Sequence, residues 1–286
     1  MDWSTAQKEL GLSLVPLYGE GEAAVIADWV MEALSGKKRL DRLMMRGELL
    51  SPADLTVFER WRGELLAYRP VQYVLGESWF GGMKFFVDER VLIPRPETEE
   101  LVEWVAVTLA EGASLAAADR PALLDVGTGS GCIAVTLARK RRDLRVLACD
   151  VSLGALAVAG QNALALGGAV EFFSLDFLDR AKWAAVPPVT WVVSNPPYIP
   201  ATERMDMARH VIDYEPGTAL FVPSDDALVF YRALGEFARE RGSGLFVEIH
   251  EDRGPAVRDL LTALGACEVV LRKDLQGRDR MIKATW

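Results

Sequence analysis

The sequence has few of the residues that build metal centres, disulfide frameworks or histidine-based catalytic sites. Its 286 residues include two histidines, His210 and His250, and three scattered cysteines. The histidines have no metal-ligand spacing and no serine or cysteine nucleophile nearby, so we interpret both as structural or solvated. The cysteines form no paired pattern, which argues against a disulfide framework and a metal site and is typical of a reduced, cytoplasmic compartment.

The sequence also lacks a basic excess and a long uninterrupted apolar run. Its 32 Lys and Arg against 41 Asp and Glu give a net charge of −9. A protein that grips nucleic acid by its phosphates needs a basic surface, so we expect no direct nucleic-acid partner. The alanine-rich stretch Ala155 to Phe173 contains polar residues, and the N-terminus has no basic segment before an apolar core. We therefore expect no membrane span and no signal peptide.

The segment Asn195 to Tyr198 is central to the functional interpretation. It follows the apolar run Val189 to Val193 and reads S-N-P-P-Y with Ser194. A short β-branched run broken by two prolines predicts a buried strand that ends abruptly. Both prolines have a fixed φ, and the first biases Asn195 away from the helical region, so this asparagine is expected on a stiff backbone.

This segment suits a substrate with a planar NH₂ group. The side-chain oxygen of Asn195 and the carbonyl of Pro196 are expected to accept its two hydrogens, while the ring of Tyr198 stacks on the flat group. An amide nitrogen is a poor nucleophile because its lone pair is delocalised. Acceptors on both hydrogens favour pyramidal character and aim the lone pair at an electrophile. A proline-rich turn after a strand is the alternative for these residues taken alone.

A glycine loop upstream is a candidate site for the electrophile. Leu123 to Val126 predict a strand, Gly127-Thr128-Gly129-Ser130-Gly131 a tight loop, and Cys132 to Arg139 a helix. Such a loop allows a ligand to approach the backbone closely. The dinucleotide fingerprint needs glycine at Cys132, so the spacing favours a ligand without a pyrophosphate. A helix N-terminus can lower a thiol pKa, but Cys132 has no catalytic base beside it and is interpreted as a packing residue.

Two further predicted strands end in polar residues. Val146 to Cys149 lead to Asp150, about 20 residues beyond the loop, where a carboxylate often holds a ribose diol. Capping of the next helix is the alternative for Asp150. Val170 to Leu175 lead to Asp176 and Phe177, an acceptor and an apolar ring suited to a purine, although Phe177 is equally compatible with the core.

The C-terminal sequence completes an α/β pattern. We predict helices over Asp226 to Arg241 and Val257 to Leu264, and strands over Gly244 to Ile249, Glu268 to Leu271 and Arg280 to Ala284. Leu275 to Arg280 is too short for a crossover helix, so the last two strands are expected to pair antiparallel. Ligands in open α/β sheets bind at the carboxyl ends of strands, where the glycine loop, both acidic residues and the Asn195 segment are expected to converge.

The N-terminal quarter has a different pattern. Residues 3 to about 75 predict a small helical bundle, with Ser51-Pro52 as an N-cap and a first-turn proline. Residues 79 to 94 show a hairpin pattern around two glycines, which we interpret as a joint between domains. Glu111 to Pro121 is predicted to be a surface loop, and residues 203 to 227 an irregular segment that flanks or covers the site.

The segment Ile93-Pro94-Arg95-Pro96-Glu97-Thr98 leads into a predicted helix that includes Leu101 and Leu109. We expect Thr98 to cap this helix, and Arg95 and Glu97 to lie at the edge of a site. A solvated helix start, with acidic residues that favour the helix dipole, is the alternative.

The chain resembles the class I S-adenosylmethionine-dependent methyltransferases, and more narrowly the peptide chain release factor N5-glutamine methyltransferase family. The resemblance covers nearly the whole chain. Its most specific segments are V-L-I-P-R-P-E-T-E at 91–99, L-L-D-V-G-T-G-S-G at 123–131, S-N-P-P-Y-I at 194–199 and G-R-D-R at 277–280, with R-P-V-Q-Y-V-L-G at 69–76 in addition.

The resemblance implies an α/β fold: a Rossmann-like seven-stranded methyltransferase sheet with an antiparallel last hairpin, plus a small N-terminal helical bundle. It divides the chain into a helical substrate-recognition domain (1–76), a β-hairpin connector (77–94) and a methyltransferase domain (95–286). The expected partner is the G-G-Q loop of class I release factors, whose glutamine N5 receives a methyl group.

The resemblance also implies how the site is used. S-adenosylmethionine is the expected cofactor, with S-adenosylhomocysteine as its product, and no metal is expected. The expected cofactor-binding residues are Gly127, Thr128, Gly129, Ser130, Gly131, Asp150, Asp176, Phe177 and Asn195. The expected catalytic residues are Asn195, Pro196 and Tyr198, and substrate binding is expected of these three together with Pro197, Arg95 and Glu97.

Two stretches depart from the family's usual pattern. Pro223 to Ala227 replace a stretch that is typically richer in glycine. Between Glu248 and Gly254, His250 and Arg253 stand where glycine and glutamine are common. These departures affect the expected late loops and leave the two core motifs intact.

Two other functions fit parts of the sequence. An N6-adenine nucleic-acid methyltransferase also needs to hold a planar NH₂ group, but the negative charge and the lack of a basic stripe disfavour it. A non-enzymatic adaptor with a relic fold is disfavoured by the intact glycine loop and N-P-P-Y segment.

Overall fold

The computed structural model describes residues 1–111, 120–200, 202, 209–222, 224 and 226–286. Contacts divide the chain into two units. One comprises Met1–Glu77 and the helix Arg209–Tyr214, and the other begins at Ser78 and resumes from Glu215 to Trp286. Most of the surface loop predicted at Glu111 to Pro121, and several residues of the predicted irregular segment at 203–227, lie outside the described residues.

The N-terminal unit is helical, as the sequence predicts. Besides the helix Arg209–Tyr214, it contains α1 (Trp3–Ser35), α2 (Arg39–Arg42), α3 (Pro52–Leu66) and α4 (Val71–Leu75). The side chain of Ser51 accepts the Asp54 amide and caps α3, with proline at the first helical position. The core of this unit includes Leu10, Leu14, Val30 and Phe58, which are fully or almost fully buried.

Helix α1 is the one helix within the described ranges that is long and apolar enough to cross a membrane by length and composition. It contains Pro16 and is kinked at Gly19, whose φ of 75° and ψ of 168° are not helical. Apolar residues on both sides of the kink pack into the core of the unit. A buried core helix satisfies the same criteria of length and hydropathy.

The second unit opens with a hairpin, β1 (Ser78–Phe80) and β2 (Met83–Phe85), and contains a seven-stranded sheet. The sheet strands are β3 (Ala122–Val126), β4 (Arg145–Asp150), β5 (Val170–Ser174), β6 (Trp191–Ser194), β7 (Gly244–Glu248), β8 (Glu268–Lys273) and β9 (Asp279–Thr285). Their order is β5-β4-β3-β6-β7-β9-β8. The first five are parallel, and β9 is antiparallel to both β7 and β8, which confirms the predicted last hairpin.

Helices cover both faces of this sheet. They are α5 (Pro96–Glu111), α6 (Cys132–Lys140), α7 (Leu153–Leu166), α10 (Val229–Arg241) and α11 (Gly254–Ala263). The short helix α9 (Gly217–Leu220) lies before α10 in the chain, and α8 (Arg209–Tyr214) belongs to the N-terminal unit. Residues of α5, α6 and α7 share one core with the sheet, and residues of α10 and α11 share the other. Every residue of β3 and β7 is buried, as expected for central parallel strands covered on both faces.

The strand order fixes where a ligand is expected to bind. From β3 the chain proceeds outward to β4 and β5, then returns to β6 on the other side of β3. The sheet therefore has its topological switch between β3 and β6, and open α/β sheets bind ligands at the carboxyl ends of the strands beside such a switch.

Candidate functional site

A cavity lies at the carboxyl ends of the strands β3 to β6. It encloses about 830 Å³ of space, part of it open to solvent. Six of the nine predicted cofactor-binding residues line it: Gly127, Gly129, Asp150, Asp176, Phe177 and Asn195. Pro196 and Pro197 line it too, so the structure brings the glycine loop and the N-P-P segment to one cavity.

The glycine loop is held against β4 by its backbone. The amides of Gly127 and Thr128 both donate to the Cys149 carbonyl, at 2.9 and 3.0 Å. Gly127 and Gly129 have φ of 73° and 54°, a region that favours glycine, and a Cβ at either would meet no atom within 4 Å. These two residues therefore present bare backbone to the cavity.

The other three loop residues lie outside the cavity lining and shape the loop. The Thr128 hydroxyl donates to Asp125 Oδ2 at 2.7 Å. The Ser130 carbonyl accepts the Asn162 side-chain amide at 2.9 Å. A Cβ on Gly131 would lie 3.1 Å from the Ala159 Cβ, so glycine here permits close packing of α6 on α7.

Asp150 joins the loop to the second strand. Its Oδ2 accepts the Gly129 amide and its Oδ1 accepts the Ser152 amide, both at 2.9 Å. The cap of α7 is Ser152, whose hydroxyl accepts the Ala155 amide, so the capping role considered for Asp150 is taken by another residue. Each carboxylate oxygen can accept a second hydrogen bond, which leaves Asp150 able to bind ligand hydroxyls.

Asp176 and Phe177 form another part of the wall. Asp176 Oδ1 accepts the Leu178 amide at 3.2 Å. Phe177 is buried, and its ring centroid lies 5.6 Å from that of Trp183 and 5.3 Å from that of Phe237. The ring therefore belongs to the core and lines the cavity as well, so the two readings of Phe177 are both compatible with its position.

The Asn195 segment is anchored on both sides. The hydroxyl of Ser194 donates to the Val126 carbonyl at 2.7 Å, which ties the end of β6 to β3. The Asn195 amide nitrogen Nδ2 donates to Thr98 Oγ1 at 3.2 Å. Tyr198 lies outside the cavity lining, with its ring centroid 5.7 Å from that of His250 in an edge-on arrangement. Burial, and secondarily the nearby Glu248 carboxylate, raises the pKa of Tyr198 to about 12.

The prediction that Thr98 caps α5 is wrong. The helix begins at Pro96, so Thr98 lies inside its first turn. Proline is well suited to this first position because it has no N–H to satisfy. Thr98 is buried, and its hydroxyl donates to Glu248 Oε2 at 2.6 Å. Burial raises the pKa of Glu248 to about 7, although the hydrogen bond from Thr98 acts in the opposite direction.

Arg95 and Glu97 do not line the cavity. The Arg95 guanidinium donates to Glu215 Oε1 at 2.6 Å, and the Ile93 amide donates to Glu215 Oε2 at 3.2 Å. The side chain of Arg95 is 35% exposed, whereas that of Glu215 is 1% exposed. Glu97 is half-buried in the first turn of α5. The structure therefore places Arg95 directly before α5 and Glu97 in its first turn.

Asp125 is a buried acid beneath the glycine loop that the sequence reading missed. Its Oδ2 accepts the Thr128 hydroxyl and the Ala134 amide, at 2.7 and 3.2 Å. Its Oδ1 is buried and has no hydrogen-bond partner within the described part of the chain. Burial raises the pKa of Asp125 to about 7. The signal was present in the sequence as an acid within an apolar strand directly before the loop.

Sequence reasoning did not name several residues of the wall individually. Arg90, Val91 and Leu92 line it from the residues before α5, and this group overlaps the V-L-I-P-R-P segment. Pro216, Thr218 and Ala219 also line it, and they lie in the segment 203–227 that was expected to flank or cover the site. Phe230 lies outside that segment and has no distinctive local pattern, so only the fold reveals it.

The cavity suits a ligand with donor groups on a partly apolar body. Asp150 and Asp176 offer carboxylate oxygens, Leu175 and Phe177 offer apolar surface, and the two bare glycines leave space beside the backbone. These groups fit the ribose hydroxyls and the base of an adenosine. Among the described residues, no group of three or more His, Cys, Asp or Glu side chains is placed to hold a metal ion.

Family models match two parts of the chain. Residues 16–76 match the PrmC N-terminal domain, and residues 111–217 match the methyltransferase small domain. Among solved structures, the catalytic domain of hMettl16 bound to the MAT2A 3′UTR hairpin 6 has a TM-score of 0.56 at 12% identity. The match covers 82% of each chain and shows that the two share a fold.

Curated relatives match over most of their length. The release factor glutamine methyltransferase of Flavobacterium psychrophilum is 36% identical over 277 residues, covering 96% of this chain and 95% of the relative. The enzyme of the same name from Chlorobaculum tepidum is 40% identical over 265 residues, covering 91% and 89%.

Proposed function

We propose that this chain, which belongs to the release factor glutamine methyltransferase family, transfers a methyl group to the glutamine of the G-G-Q motif in class I peptide chain release factors. The acceptor atom is the side-chain nitrogen N5, and the methyl donor is S-adenosylmethionine. The observation that carries the proposal is the presence of Asn195 and the glycine loop at one cavity.

The cofactor is assigned to the part of the cavity formed by β3, β4 and β5. When bound, S-adenosylmethionine supplies a methyl group on a positively charged sulfur. Gly127 and Gly129 would contact it through the backbone, in a loop shaped by Thr128, Ser130 and Gly131. Asp150 would accept ribose hydroxyls, and Asp176 and Phe177 would contact the adenine. Asn195 would border both the cofactor and the substrate.

The substrate amide is assigned to the N-P-P-Y segment. The Asn195 side-chain oxygen and the Pro196 carbonyl would accept its two N–H groups, while Pro197 and the Tyr198 ring would hold its flat faces. Holding reacting groups in this way can supply up to roughly 7–11 kcal/mol when they are about 3–3.5 Å apart. After transfer, the substrate nitrogen would lose one proton to solvent or to a backbone acceptor.

Contacts outside the glutamine are assigned to two other places. Arg95 and Glu97, in the segment that enters α5, would contact the substrate protein near the glutamine. The N-terminal helical unit would bind the release factor elsewhere, which the match of residues 16–76 to a family N-terminal domain supports. Hydrogen exchange of the full chain with and without release factor tests this assignment, with slower exchange expected in the N-terminal helices.

The direct test is methylation of a purified class I release factor with methyl-labelled S-adenosylmethionine. We expect label on the G-G-Q glutamine, located by peptide mass spectrometry, and no label on a release factor in which that glutamine is replaced by glutamate. The Asn195→Ala protein is expected to lose about 10²–10³-fold in kcat, by analogy with the loss caused by removing one oxyanion-hole hydrogen-bond donor.

Two results would overturn the proposal. One is the absence of label on the wild-type release factor under conditions where the enzyme binds cofactor, measured by calorimetry. The other is label on adenine N6 in DNA or RNA oligonucleotides with none on the release factor, which would favour the nucleic-acid alternative. An Asn195→Ala protein with full activity would show that methyl transfer does not require Asn195.

A further inference from the structure

The half-buried Asn195 and two buried polar residues, Thr98 and Glu248, form a continuous hydrogen-bonded line beside the cavity. Asn195 Nδ2 donates to Thr98 Oγ1 at 3.2 Å, and the Thr98 hydroxyl donates to Glu248 Oε2 at 2.6 Å. Thr98 and Glu248 are each 2% exposed. Glu248 is the last residue of β7, next to β6, the strand that precedes Asn195.

The negative charge of Glu248 determines which group donates and which accepts in each of these two hydrogen bonds. An ionised carboxylate only accepts hydrogen bonds, and a threonine hydroxyl has a single proton to donate. When that proton points at Glu248, the Thr98 oxygen has only lone pairs to offer to Asn195. The carboxamide of Asn195 can then bond to Thr98 only through its NH₂ end.

We propose that Thr98 and Glu248 orient the Asn195 carboxamide so that its oxygen faces the substrate amide. This inference rests on the proposed function, in which Asn195 accepts an N–H of the glutamine side chain. A carboxamide turned by 180° would present its own NH₂ group to the substrate NH₂ group. Two donors would then face each other, and the acceptor needed for methyl transfer would be lost. Thr98 and Glu248 are thus positioning residues.

Protonation of Glu248 would remove this fixed assignment of donors and acceptors. A protonated carboxyl can donate as well as accept, so Thr98 would be free to donate to the oxygen of a turned Asn195. Burial raises the pKa of Glu248 to about 7, which puts this change close to neutral pH. The titratable groups that face Glu248 are Arg95 and Glu97 at the start of α5, Cys132 on α6, Tyr198, Tyr231 on α10 and Arg280 on β9.

The first test compares two substitutions of Thr98. Thr98→Val keeps the shape of the side chain but has no hydroxyl, and we expect its kcat for release factor methylation to fall at least tenfold. Thr98→Ser restores the hydroxyl and is expected to recover most of that loss. Thr136→Val is the matched control, because Thr136 is also buried but its hydroxyl has no partner in the described ranges, and its kcat should stay within twofold of wild type.

The second test uses pH. In the wild type we expect kcat to fall as the pH drops below about 7. In Glu248→Gln we expect this acidic limb of the pH profile of kcat to be absent. A wild-type kcat for Thr98→Val would overturn the proposal. So would a Glu248→Gln protein that keeps the limb at the same pH, since another group would then be titrating.

A third measurement needs no substrate and therefore separates this proposal from the proposed function. In a ¹H–¹⁵N spectrum, the Asn195 side-chain NH₂ signal is assigned by its loss in Asn195→Ala. We expect this signal to shift with pH around 7 in the wild type and in Thr98→Ser, and to lose that dependence in Thr98→Val. If the signal does not change with pH in the wild type, the proposal that Glu248 orients the Asn195 carboxamide is wrong. Absence of release factor methylation with the pH shift intact overturns only the proposed function.

Discussion

The Arg95 guanidinium donates to Glu215 Oε1 at 2.6 Å, although the two residues are 120 positions apart in the sequence. The second oxygen of Glu215 accepts the Ile93 amide, so one buried carboxylate fixes the backbone just before α5. The same segment carries Glu97 and Thr98 into the first turn of the helix. This ion pair therefore helps to place the residues that surround the Asn195 segment.

Loss of Arg95 should destabilise the protein because Glu215 would remain buried without its cation. Removing one partner of a fully buried pair costs about 3–5 kcal/mol, and we expect about 1–3 kcal/mol for Arg95→Met because Arg95 is partly exposed. Glu215→Gln removes the buried charge but keeps only one of the two acceptor oxygens, so it should also destabilise the protein. Urea denaturation measures both, with Arg145→Met as a control for an exposed pair. If Arg95→Met lowers the free energy of unfolding by no more than Arg145→Met does, the pair of Arg95 and Glu215 does not stabilise the protein as expected.

Alanine in place of Gly127 should weaken cofactor binding as well as strain the backbone. Gly127 has φ of 73° and lines the cavity, where a Cβ would occupy ligand space. Gly242, at the end of α10, has φ of 62° and also has no atom within 4 Å of an added Cβ, but it lies away from the cavity. Both substitutions should cost about 1–2 kcal/mol in stability.

Calorimetry with S-adenosylmethionine distinguishes the two glycine variants. We expect at least a tenfold weaker Kd for Gly127→Ala and a wild-type Kd for Gly242→Ala. Equal affinities for the two proteins would place the cofactor elsewhere.

Asp125 should make the protein less stable as the pH rises. Burial raises its pKa from 3.8 to about 7, so folding favours the protonated carboxyl. Its stabilising contribution is complete below about pH 4 and is lost as the pH rises through about 7. Asp125→Asn cannot titrate, and its Oδ1 can accept the two hydrogen bonds that Oδ2 of the aspartate accepts.

The unfolding free energies of wild type and Asp125→Asn, measured at pH 5 and pH 8, test this expectation. We expect the variant to gain about 1–3 kcal/mol relative to the wild type between the two values, since one pKa unit corresponds to about 1.4 kcal/mol. A difference that stays constant with pH would show that Asp125 does not titrate in this range.

The cysteines should differ in reactivity. Burial raises the pKa of Cys132 to about 12 and also raises that of Cys149, whereas Cys267 is exposed. Thiolates are the reactive form, so iodoacetamide at pH 8 should modify Cys267 in the native protein and all three cysteines after denaturation. Peptide mass spectrometry identifies the sites. Rapid modification of Cys132 in the native state would point to the lowered thiol pKa that its place at a helix N-terminus can produce.

The local sequence was enough to predict the elements that carry their own pattern. The strand, glycine loop and helix around Gly127, the strand that ends before Asn195 and the antiparallel last strands were all predicted within a few residues. Each depends on neighbouring residues: apolar runs form buried strands, glycines allow positive φ, and prolines end the strand. The rule that ligands bind at the carboxyl ends of parallel strands then brought these segments together correctly.

Only the tertiary structure decided the contacts between distant segments. Thr98 was predicted as a helix cap, but Pro96 begins the helix and the packing of α5 against β7 directs Thr98 inward to Asn195 and Glu248. In the same way, Arg95 bonds to Glu215, and Asp125 is buried under the loop. Local patterns specify backbone conformation, whereas the partner and the pKa of a buried polar group depend on which elements pack around it.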